Sequence, residues 1–249
     1  MFIIYRMIHT WHLQDPHFNN VKTGKKIYET RVYDEKRKKI KLGDTIIFEH
    51  DDKKDEPSFK TIVVEIKIFK SFGDAIKDCG IKKILPNHNS NVKGVELYES
   101  FPHGEGGTFR DAAKKYGVVR FKLVVNNNRK THILHIQNPK ECPTFDYIKS
   151  GVKTVEGRKN SPTYQEYNEG DYLNFVCEKQ KLMTIITYIN KYETVEDYLN
   201  KETLKKALPC VKTIEEGVEI YNKWTSQKER DELKKKYGYG FLGIGIKKI

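Results

Sequence analysis

Short apolar runs, alternating or continuous, are broken along the chain by glycine and by charged turns. Residues 3–9 and 133–136 read as strands, each leading into a Gln-Asx-Pro turn at Gln14-Asp15-Pro16 and Gln137-Asn138-Pro139. The first eight residues lack a basic leader and read as part of a strand, not as a signal peptide. Phe18 and Val21, like Phe145 and Ile148, are three residues apart, the spacing of one helix face. Gly24 and Gly151 stand where such a helix would stop. Further strands are predicted over residues 45–49 and 172–176, and β-branched ones over 61–69 and 183–192. The charged stretch 51–57 reads as a surface hairpin loop. Helices follow: Val195, Tyr198 and Leu199 have helical spacing, and Thr213 with Glu216 and Ser226 with Glu229 fit capping boxes. The helix after Ser226 runs through Leu233 to a stop at Gly238, and residues 117–125 and 240–246 close each half as strands. Mixed strands and helices with few βαβ units predict an α+β chain, a small curled sheet or barrel decorated with helices.

The same order of elements occurs twice because the sequence does. Gly24-Lys25-Lys26-Ile27-Tyr28-Glu29-Thr30-Arg31 and Gly151-Val152-Lys153-Thr154-Val155-Glu156-Gly157-Arg158 both read G-x-K-x-x-E-x-R, 127 residues apart. Gly43-Asp44 returns as Gly170-Asp171 at the same offset. His12-Leu13-Gln14-Asp15-Pro16 returns as His135-Ile136-Gln137-Asn138-Pro139, now 123 residues apart. Leu85-Pro86 matches Leu208-Pro209, and Gly94-Val95-Glu96-Leu97-Tyr98 matches Gly217-Val218-Glu219-Ile220-Tyr221, again at 123. The change of offset marks a small insertion before the second motif and a compensating one after the first. A period this long means two whole domains and not a solenoid. Their expected bounds are 1–125 and 131–249, with a linker at 126–130 on Asn126-Asn127-Asn128-Arg129.

Composition narrows the classes. No apolar run approaches the length of a membrane span. The four cysteines sit at non-equivalent positions of the two copies and form no CxxC pair, so neither a disulfide framework nor a zinc site is expected. That points to an intracellular protein, cytoplasmic or nuclear, without metal or cofactor. The net charge is +12. Residues 1–125 carry 24 basic and 17 acidic side chains, and residues 126–249 carry 22 and 17, so both halves are positive. A field shared in this way suits a polyanionic partner, nucleic acid first, although a lysine-rich surface also simply solubilises.

Side chains alternate faces along a strand, so Glu29 and Arg31, and Glu156 and Arg158, are neighbours. Lys26 and Lys153, at the turn into each strand, reach the same patch. Two cations and a carboxylate then converge: the cations suit phosphate, and the carboxylate accepts from a base amino group. The competing reading is a structural ion pair that locks the strand to its neighbour.

These elements resemble the ASCH domain of the PUA-like superfamily: G-x-K-x-x-E-x-R, then Gly-Asp, then a helix region bearing Leu-Pro and Gly-Val-Glu-x-Tyr. The resemblance covers nearly the whole chain as two tandem copies, the second the closer. It implies two tandem PUA-like small β-barrels with flanking helices, each with a cleft lined by its motif. It also implies RNA-linked roles: binding, coactivation and, in some members, ribonuclease or amidohydrolase activity. Members that hydrolyse acetylated cytidine carry Thr where this chain has Glu29 and Glu156, so that acyl-transfer nucleophile is missing.

The expected function is therefore nucleic-acid binding, RNA in preference to DNA, through Lys26, Glu29, Arg31, Lys153, Glu156 and Arg158, with Trp11 as a further ligand contact. If the chain is instead a nuclease or a hydrolase of modified nucleosides, Lys26, Glu29, Lys153 and Glu156 are the catalytic candidates. A protein-interaction module is the third class. Lys36-Arg37-Lys38-Lys39 with Lys41 is a basic run found only in copy one; Arg37, Lys38, Lys39 and Lys41 are candidate phosphate contacts. Trp224 reads as core or helix packing. His12 and His135, at equivalent positions, are candidate ligand contacts, with a buried imidazole bonded to backbone as the commoner outcome. His103-Gly104-Glu105-Gly106-Gly107-Thr108 reads as a mobile loop in an insertion peculiar to copy one. Gly238-Tyr239-Gly240-Phe241-Leu242-Gly243 satisfies GxGxxG, but no helix follows to take a pyrophosphate.

Overall fold

The computed structural model describes residues 6–249. The part of the first expected strand at residues 1–5 lies outside them. The chain divides into two compact units, one up to Asn128 and one from Arg129.

The first unit runs β1 (Ile8–Leu13), α1 (His17–Lys22), β2 (Tyr28–Val32), α2 (Glu35–Lys38), β3 (Thr45–His50), β4 (Phe59–Phe69), α3 (Phe72–Cys79), α4 (Ile81–Ile84), α5 (Asn91–Ser100), α6 (Phe109–Tyr116) and β5 (Val118–Val125). The second runs β6 (Thr131–His135), α7 (Thr144–Ser150), β7 (Val155–Lys159), α8 (Pro162–Gln165), β8 (Tyr172–Cys177), β9 (Gln180–Tyr192), α9 (Val195–Glu202), α10 (Leu204–Ala207), α11 (Ile214–Trp224), α12 (Gln227–Tyr237) and β10 (Phe241–Lys248). Each unit folds as a five-stranded curled sheet, ordered β1-β3-β4-β5-β2 and β6-β8-β9-β10-β7. Among the described residues only the β1–β3 and β6–β8 pairs are parallel. This is the α+β, PUA-like half-barrel with helices that the sequence implies.

The sheet has two apolar faces, and they build two cores per unit. In the first, alternate residues such as Val119, Phe121 and Leu123 join Phe18, Ile46 and Phe48 inside the curl. Val118 and Val32 point the other way, to Phe72, Ile76 and Tyr98 of the helical layer. The second unit repeats the division: Phe145, Phe175 and Ile244 lie inside the curl, and Tyr198, Leu199, Tyr221 and Phe241 in the helical layer. Helix crossing is close at Gly94 and Gly217, where an added Cβ would stand 2.5 Å from Ile81 Cδ1 and 2.6 Å from Leu199 Cδ1. The Gly-Val-Glu-x-Tyr repeat is thus a packing signature, with glycine at the crossing and tyrosine in the core.

Several local expectations change. The Thr213–Glu216 capping box forms in full. Ser226 caps α12 from one side only, because the Glu229 carboxylate turns to Lys159 and Thr225. Val118 and Phe241 both lie 20 residues after their Gly-Val-Glu-x-Tyr tyrosine, so residues 103–108 are no insertion. Copy two spends the matching stretch on the start of α12. Copy one closes it as a turn, with the His103 amide donating to the Gly107 carbonyl at 3.0 Å and the Gly106 amide to the His103 carbonyl at 2.9 Å. The absence of a disulfide is also overturned: Cys142 and Cys210 are bonded. They are far apart in sequence, but the fold brings their Cα atoms to 5.1 Å, within bridging range. Among the described residues no helix is long and apolar enough to cross a membrane, and no group of three or more His, Cys, Asp or Glu is placed to hold a metal ion.

Candidate functional site

Each motif begins at a helix stop. Gly24 and Gly151 have φ of +72° and +79°, a region that favours glycine, and reverse the chain after α1 and α7. The Lys26 amide then donates to the Asn20 carbonyl at 2.8 Å, and the Lys153 amide to the Tyr147 carbonyl at 3.0 Å. With the backbone fixed, both lysine side chains turn inward and are buried. Strands β2 and β7 follow at the sheet edge, paired among the described residues with β5 and β10 alone, and by strand alternation Glu29 and Arg31 (and Glu156 and Arg158) share a face as expected.

The three groups do meet, in both units. Glu29 bridges Lys26 Nζ at 2.8 Å and Arg31 Nη2 at 3.0 Å. Glu156 bridges Lys153 Nζ at 3.3 Å and Arg158 Nη2 at 2.8 Å. The carboxylates are 0% and 4% exposed. Burial alone would raise the Glu29 carboxyl, but Arg31 and Lys26 together hold it below the usual carboxylate range. The two lysines differ. Burial pulls Lys26 down, yet Glu29, aided by Tyr98, leaves its ammonium above the ordinary value. Burial wins at Lys153 and lowers it, because its carboxylate partner is farther away. Lys153 Nζ also donates to the Ala207 carbonyl.

What surrounds the triads differs more. In the second unit Lys153, Glu156 and Arg158 line an open cleft of about 280 Å³. Its walls are His135, Ile136 and Gln137 at the end of β6, Cys142 and Thr144 before and within α7, Leu208 after α10, and Tyr221 and Trp224 on α11. Trp224 is 58% exposed and meets Tyr221 edge-on, ring centroids 5.4 Å apart. Of the two expected placements, core or helix packing, it takes the second: it packs on Tyr221 at the cleft, because it follows that tyrosine by three residues and lies at the wet edge of that face of α11.

In the first unit the position of Thr144 is taken by His17. Its imidazole is half-buried near Lys26, Glu29 and Arg31, and burial, then the Lys26 charge, push its pKa down to about 4. Its Nδ1 has no hydrogen-bond partner. Arg31 lines a separate groove of about 350 Å³ with His9, Thr10, Trp11, His12, Lys36, Arg37 and Ile40; Lys26 and Glu29 are not part of it. Trp11 is half-buried, edge-on to Phe48 and Phe121 at 6.0 and 5.7 Å. The Arg31 and Arg37 guanidinium carbons lie over the same indole at 5.6 and 5.9 Å. Of the basic run, Lys36 and Arg37 face this groove. Lys38 pairs with Glu35 at 2.6 Å, and Lys39 and Lys41 are exposed away from it.

Two histidine readings need correction. His12 and His135 are exposed rather than buried, since each sits on an outward position of an edge strand. The inward imidazoles are His9 and His132, which meet buried Asp44 and Asp171 at 2.9 Å. Those carboxylates also accept backbone amides, from Lys41 at 2.9 Å and from Lys130 at 2.9 Å. The repeated Gly-Asp is thus a buried clamp as well as a turn. The signal was present, since His9 and His132 share the 123-residue offset of His12 and His135.

The chain belongs to the ASCH-domain family, whose profile matches residues 12–122 and 141–244. It is 35% identical to the hypothetical protein PH0355, known from a crystal structure, over 48% of this chain and 100% of that one, with a TM-score of 0.41. It is 32% identical to protein PF0455 from Pyrococcus furiosus, known from a solution NMR structure, over 49% of this chain and 100% of that one, with a TM-score of 0.39. No curated protein matches it.

Proposed function

From membership of the ASCH-domain family, a PUA-like family often associated with RNA, we propose that this protein binds nucleic acid, RNA in preference to DNA, and that the second unit's cleft receives one unpaired base. The observation that carries this reading is the exposed Trp224 beside a cleft floored by Lys153, Glu156 and Arg158. An indole offers a face to any base, worth about 1–3 kcal/mol. Glu156 accepts from an exocyclic amino group, and Arg158 donates to a ring nitrogen or carbonyl. Single-stranded RNA displays such edges, whereas duplex stacking hides them. The positive charge of both halves supplies the sequence-independent part of the affinity. Asn126–Asn128 serve in this reading as the linker between two binding domains.

Fluorescence anisotropy with labelled single- and double-stranded RNA and DNA, at low and physiological salt, tests it. Trp224→Ala should weaken binding to single-stranded RNA by about tenfold or more, and Arg158→Lys should weaken it as well while keeping the charge. Binding that collapses with salt and ignores both variants would reduce the interaction to counterion release and sink the proposal. The rival, enzymatic reading uses the same cleft: Lys153 lines it beside Glu156, and burial lowers its pKa, which favours the amine form that can act as a base. Turnover of RNA or of a modified nucleoside that is lost in Lys153→Met would establish that reading instead.

A further inference from the structure

We propose that the groove between Trp11 and α2 in the first unit is a phosphomonoester site, holding the phosphate of a nucleoside monophosphate or of a 5′-phosphorylated RNA end. It does not depend on the base-binding cleft of the second unit.

The groove is cationic by construction. Arg31, Lys36 and Arg37 line it, and no carboxylate does. Glu29 and Asp34 hold one edge of each guanidinium, through Arg31 Nη2 at 3.0 Å and Arg37 Nη1 at 2.8 Å. These contacts orient the two forks without closing the groove. Asp34 is itself fixed as the cap of α2, accepting from the Arg37 amide at 3.0 Å. Lys36, exposed on the same turn, adds a charge with no ionic partner among the described residues.

Two like charges over one indole repel. Burial lowers Arg37, Asp34 opposes this, and the charge of Arg31 lowers it further. An anion between the two guanidiniums relieves that repulsion and receives convergent hydrogen bonds from planar donors. A phosphomonoester carries up to two charges and three terminal oxygens, which suits two guanidiniums and an ammonium better than a single carboxylate does. The indole itself is not a base platform, because the cations cover its face. Recognition in this groove is therefore of the phosphoryl group. In the second unit the positions of Trp11, Lys36 and Arg37 are Leu134, Thr163 and Tyr164, so the site is confined to the first.

The protein has two tryptophans, Trp11 and Trp224. In the full-length Trp224→Phe variant, Trp11 alone reports the groove. That variant is titrated with uridine, uridine 5′-monophosphate, inorganic phosphate, and a short RNA with and without a 5′-phosphate. The expected result is a saturable change in indole fluorescence with the monophosphate or the 5′-phosphorylated RNA. Uridine and the 5′-hydroxyl RNA should bind at least tenfold more weakly. Response to the monophosphate alone assigns the site to free nucleotides; response to the phosphorylated strand assigns it to RNA ends. Arg37→Gln should abolish the response. Lys36→Gln, at an exposed position that does not threaten folding, should weaken it severalfold, so the test survives if Arg37→Gln is unstable. No phosphate-dependent change, equal binding of the 5′-hydroxyl RNA, or indifference to both substitutions overturns the proposal. Because Trp224 is absent from the assay, a negative result leaves the second unit's cleft untouched.

Discussion

The two units keep the same three ionic side chains and rebuild part of the packing beside them. In the second, β7 carries Gly157 and β10 carries Gly243, and the ring of Tyr198 fills the space above both. A Cβ on Gly157 would stand 2.5 Å from the Tyr221 hydroxyl and 2.9 Å from the Tyr198 ring. In the first, the equivalents are Thr30, Arg120 and Ala75, so bulk has moved from the helix to the strands. Arg120 donates to the Ala75 carbonyl at 3.0 Å and to Asp78 at 2.7 Å, and stacks at 4.2 Å over Tyr28. Interior volume is conserved while its source changes, as a close-packed core requires. The triad is not exchanged in this way, because one carboxylate pairs with both cations.

Loss of the shared carboxylate should have the largest effect. Glu29→Gln or Glu156→Gln leaves a buried lysine and a partly buried arginine without their anion, at a cost of about 3–5 kcal/mol. Glu29 should be the more costly, since both its contacts are 3.0 Å or shorter. Urea unfolding of single-tryptophan variants reads each unit separately, and losses below about 1 kcal/mol would mean that water replaces the carboxylate.

Exchange of the packing solutions should have a smaller effect. Gly157→Thr installs the first unit's residue under Tyr198 and should destabilise by about 1–3 kcal/mol. In a Tyr198→Ala background the same change should cost less, by a coupling of at least about 0.5 kcal/mol. Strict additivity in that cycle would show that the two positions do not compensate.

The smallest effect concerns pH. The folded pKa of His17, about 4, lies below its ordinary 6.5, so the unfolded chain takes up that proton more readily. The stability owed to neutral His17 is complete above about pH 6.5 and is lost as pH falls towards 4. Discounted for the part of the ring that stays in water, this amounts to about 1–2 kcal/mol. His17→Thr, the second unit's residue at that position, should flatten the decline in first-unit stability between those pH values; an unchanged slope would assign it to other groups.

Local chemistry was legible in the sequence, and mutual position was not. The motif strand, the glycine stop before it and the convergence of Lys, Glu and Arg follow from alternation and turn chemistry over a few residues. Whether a cleft opens over the triad depends on residues such as Trp224 and Thr144, brought there by long connections that no short-range pattern encodes. The Cys142–Cys210 bond escaped for the same reason: one partner lies in the segment before α7 and the other after α10. Cys210 corresponds to Asn87, which in the first unit receives a hydrogen bond from Asn20 at 3.4 Å, so one loop is tied covalently and its counterpart by an amide pair. The neighbourhood of Trp11 was legible only in part, because Arg37 reaches it through the α2 turn.

The edge placement of the motif strand also governs when a site can exist. Among the described residues, strand β2 pairs only with β5, with Tyr28 opposite Lys122, and β7 only with β10, with Val155 opposite Gly245. During synthesis at about 5–20 residues per second, the charged strand therefore leaves the ribosome several seconds before its sole partner is made. Each motif strand thus gains its pairing strand only when the last strand of its unit is made.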